Sequence, residues 1–149
     1  MGLALEPVGV FVCAVAGMAP DLDFLWGRHG AETHSIGAAL LAGAAVLAWS
    51  RGTRPRLAIA VSLAWMSHVA FDWLGSDDTP PLGVMALWPL SDGYYFAHAY
   101  VFDAISRRYW LPGFLAQNVW AVAKEVVTLG PIAAAMWWGR RRRRQKTEG

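Results

Sequence analysis

Cysteine is almost absent: among 149 residues only Cys13 carries a thiol. A single thiol excludes both an internal disulfide framework and a cysteine-rich zinc site, so any metal must be held by histidine, aspartate or glutamate. Charge is sparse too. Charged residues make up 16% of the chain and hydrophobic residues 56%, a balance that fits a membrane protein better than a soluble one. The stretch from Met1 to Ala19 lacks a basic leading region and a clean small-residue cleavage site before Pro20, which argues against a removable signal peptide. No internal repeat is visible, and the length suits one domain, residues 1–149, ending in a basic tail at 140–149.

Four apolar segments stand out: Leu3 to Ala19, Ile36 to Trp49, Leu57 to Leu74, and roughly Phe114 to Trp138. All read as helices, so the expected fold is all-α, a membrane-embedded bundle of about four helices. A bilayer core takes about 20 helical residues; the last segment spans comfortably, the third is borderline and the first two are short. Pro20 with Asp21, the run Arg51-Gly52-Thr53-Arg54-Pro55-Arg56, and the run from Gly75 to Pro81 separate them. Thr33 and Ser35 are candidate caps for the second helix. Between residues 76 and 113, Tyr95, Ala99, Phe102, Ile105 and Tyr109 recur at helical spacing, which predicts an additional interfacial helix or a lid packed on the bundle.

The formal charge of +2 conceals an arginine run from Arg140 to Arg144, directly after Met136, Trp137 and Trp138. In that position it reads as a cytoplasmic flank with an aromatic anchor, and nucleic acid is not the expected partner. The basic loop at Arg51, Arg54 and Arg56 belongs on the same side by the positive-inside rule. Threading from these two points puts both termini in the cytoplasm. Asp21 to His34, the far end of the third helix and residues 76–113 then fall on the outer face, with Arg107 and Arg108 there against the rule.

The acids and imidazoles are the other departure from a greasy chain: Asp21, Asp23, His29, His34, His68 and Asp72. Such groups are costly beside apolar helices unless something pairs with them, and carboxylate plus imidazole suits a divalent metal. His68 and Asp72, four apart on a helix, emerge on one face and can bind one ion together. Alone, that spacing is more often a hydrogen-bonded pair. Asp21 and Asp23 follow a helix end, where paired acids usually mean a capped turn, and His29 and His34 complete a possible set of ligands. Asp77 and Asp78 fit a second ion or an acidic turn equally well. In the fourth segment Asn118 and Glu125 share a face, and the glutamate needs a polar partner at membrane depth.

These residues stand in an order that resembles the YdjM-like family of membrane-bound metal-dependent hydrolases. The matching motifs are Pro20-Asp21-Leu22-Asp23, His29-Gly30-Ala31-Glu32-Thr33-His34-Ser35, His68-Val69-Ala70-Phe71-Asp72 and Leu87-Trp88-Pro89. Gly30 stands where the family has arginine; Arg28 is the candidate to replace it. The order of ligands is also similar, more distantly, to one zinc site of the helical phospholipase C and single-strand nuclease fold. The resemblance implies a metal set drawn from Asp21, Asp23, His34, His68 and Asp72, with zinc the leading ion. Whichever of Asp21 and Asp23 does not bind the metal would manage a proton, as would His29. Arg28, Arg107 and Arg108 would attract an anionic substrate headgroup.

The expected activity is hydrolysis of a phosphoester or ester of a lipid-like substrate, or of a small molecule, by water activated at the metal. The rival expectation is a non-catalytic membrane protein in which the same cluster is a structural metal clip or a proton relay.

Overall fold

The structure is a computed structural model and describes residues 6–26, 29–76, 80–98, 100–106 and 109–148. Its helices are α1 (Pro7–Met18), α2 (Ile36–Trp49), α3 (Pro55–Leu74) and α4 (Phe114–Glu148), and a 3-10 helix, Ala19–Trp26, continues directly from α1. No strand occurs among the described residues. The all-α expectation therefore holds.

The helix limits follow from local chemistry. Proline opens α1 and α3, where its fixed φ suits the first turn and its missing N–H is not needed. Ser35 caps α2, its Oγ accepting the Ala38 N–H at 3.0 Å. Arg51 and Gly52, both left-handed at φ 48° and 78°, end α2, and the Gly52 N–H reaches back to the Leu47 carbonyl at 2.8 Å. α4 runs past its apolar part into the arginines, since arginine is a good helix former.

Two compact units divide the chain, Met1–Val101 and Phe102–Gly149. In the first, α3 packs against both α1 and α2. Ala16, Leu57 and Val61 form the core there, surrounded by Val12, Cys13, Ala42, Val46 and Ala64. Mostly small side chains meet, and a Cβ on Gly43 would collide with Ser62 Oγ, so α2 and α3 approach closely. Such contacts hold helices together where no water exclusion drives them. Val8, Phe11, Leu40, Leu41, Ile59 and Leu63 point outward, an apolar surface suited to hydrocarbon. α3, and Phe114–Gly139 within α4, are long and apolar enough to cross a membrane; α2 is apolar but shorter.

The connection after α3 departs from expectation. No interfacial helix forms among its described residues; turns and extended segments run instead, with Val84 and Tyr95 paired as an isolated bridge. Pro80, Pro81, Pro89 and Pro112 and the glycines Gly83 and Gly93 interrupt the stretch, and the aromatic and β-branched residues between them are only moderate helix formers. Their backbone groups also find stronger use elsewhere. Ile36 N–H donates to the Ala86 carbonyl at 3.0 Å and Gly37 N–H to the Trp88 carbonyl at 3.2 Å, satisfying donors that the start of α2 leaves open. Ala97 N–H and Val101 N–H, each at 2.9 Å, likewise satisfy the carbonyls of Trp73 and Leu74 at the end of α3.

In the second unit the stretch before α4 is tied to that helix. The Asn118 side chain exchanges two hydrogen bonds with the Ser106 backbone, at 2.8 and 2.9 Å, and Lys124 Nζ pairs with Asp103 at 2.8 Å. Asn118 and Lys124, two polar residues on an otherwise apolar helix, are thus answered by neighbouring chain.

Candidate metal centre

The site gathers at the end of α3 remote from the basic loop. His68 and Asp72 lie in the last two turns of α3, His34 precedes the cap of α2, and Asp21 and Asp23 sit in the 3-10 helix after α1. Three residues per turn separate the two acids by about 240° around that helix, so they cannot face the same way. Asp23 turns inward and is completely buried, whereas the Asp21 side chain is 46% exposed.

Asp72 Oδ2 lies 3.0 Å from His34 Nε2 and 3.2 Å from His68 Nε2. Asp21 Oδ1 stands slightly farther off, 3.6 Å from His68 Nε2 and 3.9 Å from His34 Nε2. His34 Nε2, His68 Nε2 and Asp72 Oδ2 are all buried, and despite their closeness none is aligned in a hydrogen bond. Buried polar atoms are almost always paired, so three unsatisfied atoms converging on one point form a donor set for a cation. A tetrahedral ion bonded at 2.0–2.2 Å requires neighbouring ligand atoms about 3.3–3.6 Å apart. The observed spacings, from 3.0 to 3.9 Å, bracket that range, and the four residues could hold a metal ion.

Asp23 does something different. Its Oδ1 lies 3.1 Å from His29 Nδ1, and its Oδ2 accepts the Gly30 N–H at 3.1 Å and the Thr33 hydroxyl at 3.0 Å. His34 Nδ1 lies 3.0 Å from the same Oδ2 and 3.2 Å from Thr33 Oγ1. With the Thr33 proton directed at Asp23, the Nδ1–H of His34 points into this network and the Nε2 lone pair points toward Asp72. A carboxylate behind a histidine fixes both its tautomer and its ring orientation for a metal. Asp23, His29 and His34 also form a second group with ligand atoms close enough for an ion, sharing His34 with the first. At Gly30, φ is 76° and an added Cβ would stand 2.7 Å from the Gly83 carbonyl oxygen. Only glycine fits there.

Sequence reasoning missed Trp65. Its indole N–H donates to the Thr33 carbonyl at 2.7 Å, joining α3 to the loop that carries His34. The signal was present, since Trp65, His68 and Asp72 share one face of α3 at i, i+3 and i+7. Trp65→Phe keeps the ring and removes one neutral hydrogen bond, about 1 kcal/mol, so roughly fivefold weaker metal binding is expected in a chelator competition.

The His68 imidazole beside it holds the Asp21 carboxyl below the usual carboxylate range, with partial burial opposing it. Arg28, Asp77, Asp78, Arg107 and Arg108, named above as candidates, lie outside the described residues.

Fold and site together define an all-helical protein with two helices capable of crossing a membrane and a His/Asp cluster able to hold a metal. The family model described as YdjM inner membrane protein matches residues 3–145, nearly the whole chain, and the protein belongs to that family. Neither the curated proteins nor the solved structures yielded a match.

Proposed function

We propose that the protein is an integral membrane, metal-dependent hydrolase that cleaves a phosphoester or ester of a lipid-like substrate. The observation that carries this reading is the asymmetry of the four-residue set. His34, His68 and Asp72 contribute buried atoms that no hydrogen bond satisfies, while Asp21 is half-exposed and farther out. Three protein ligands with one side left open is the pattern of a catalytic zinc site; four closed ligands is that of a structural one.

A divalent cation, zinc by its donor set, would supply Lewis acidity, bringing the pKa of water toward about 7 and polarising a phosphoryl or acyl oxygen. The chain's own residues supply the rest. Asp21, on the open side, accepts the proton of the attacking water. His29, held by the buried Asp23, delivers a proton to the departing oxygen. Leu22, Leu25, Phe71 and Trp73, chain neighbours of these residues, are exposed and give the opening an apolar border along which an acyl chain can enter from the bilayer. The basic loop at the opposite end of α3 supports an outer-face site with both termini cytoplasmic. Arg28, Arg107 and Arg108 are proposed to draw in an anionic headgroup.

One observation favours a second reading. Asp21 Oδ1 is near enough to the other three atoms to complete a closed tetrahedron, which would make the cluster a structural clip in a non-catalytic protein. Asp21→Asn separates the two. The hydrolase reading expects retained stoichiometric metal and a loss of about 10²–10⁴-fold in turnover of bis-p-nitrophenyl phosphate or p-nitrophenyl acyl esters in micelles. Loss of the metal itself, or a metal-loaded wild type inert toward every such ester, favours the clip.

A further inference from the structure

The end of α4 carries a second feature, independent of the metal chemistry. Trp120 and Trp138, both exposed, stand eighteen positions apart on one continuous helix. At about 1.5 Å per residue that is about 27 Å, close to the roughly 30 Å hydrocarbon core whose two borders tryptophan favours. Arg140 to Arg144 then rise about 3–9 Å beyond Trp138, largely within the headgroup layer, which is about 5–7 Å deep on each side.

Two of these arginines are already organised. The Arg141 guanidinium lies 4.1 Å from the Trp137 ring centroid, and that of Arg142 lies 5.2 Å from the Trp138 centroid. Each guanidinium carbon lies over the tryptophan ring one turn before it, which restrains the side chain, and arginine's planar fork matches two oxygens of a phosphate. We infer that Arg141 and Arg142, braced on Trp137 and Trp138, form a binding site for the phosphodiester of anionic phospholipids at the membrane border. Position at headgroup depth and complementary charge together select lipid over nucleic acid, which would need the arginines clear of the bilayer.

The test is native mass spectrometry of the full chain in detergent, titrated with phosphatidylglycerol or phosphatidylcholine. Wild type is expected to retain phosphatidylglycerol in preference, and R141Q/R142Q to retain at least threefold less, with phosphatidylcholine unchanged. R141K/R142K keeps the charge that orients the helix and loses the planar fork, so retention at least twofold lower is expected there as well. Equal retention of both lipids by wild type, or lysine variants that hold phosphatidylglycerol as well as wild type, would overturn the inference. Displacement of the bound lipid by a short DNA duplex at physiological salt would also overturn it.

Discussion

Alanine at either His68 or Asp72 is expected to lower the metal content of the purified protein from stoichiometric to background and to abolish hydrolysis with it. Each removes one of only three buried donor atoms, and two remaining ligands do not hold an ion that prefers four-coordination. Neither side chain belongs to the Ala16–Leu57–Val61 core, and alanine is the best helix former, so α3 survives both changes. Elemental analysis beside far-UV circular dichroism makes the check. Metal retained by both variants at unchanged helical content would refute the site assignment.

Asp23→Asn is expected to have the next largest effect, although Asp23 is not a ligand in the proposed centre. An amide presents one oxygen where the carboxylate presents two, so its NH₂ faces either the His29 ring nitrogen or the group of Gly30, Thr33 and His34. Each donor left unsatisfied in this buried place costs about 1–3 kcal/mol. His34 also loses the acceptor that holds its Nε2 toward Asp72. Metal affinity should fall about 10–100-fold, the range seen when such supporting groups are removed, together with a lower unfolding temperature. Chelator competition measures the first and a thermal melt the second. An Asp23→Asn protein with unchanged affinity would leave Asp23 with only the turn-capping role that paired acids usually have.

Much of this was legible in the chain. The four helices follow from apolar runs separated at Pro20, at Gly52 to Pro55 and from Gly75 onward, because those residues decide locally where a helix can begin or stop, although α1 begins at Pro7 and not at Leu3. His68 and Asp72 could be placed on one face from their spacing alone. The absence of paired cysteines already restricted any metal to imidazole and carboxylate, and the motif order resembled the family to which the chain belongs.

Other assignments were beyond any local rule. Asp21 and Asp23 are chemically identical and two positions apart, so their sequence could not divide the work between them. The winding of the 3-10 helix did, burying one carboxylate among four donors and leaving the other beside the open edge of the cluster. The stretch around Tyr95 carried a helical pattern, yet its backbone bonds went to the open ends of α2 and α3, partners that exist only once those helices are packed. Local composition thus determined which segments are helical and which atoms were available. Only the tertiary structure decided which atoms meet, because burial and hydrogen-bond partners are set by contacts between residues distant in the chain.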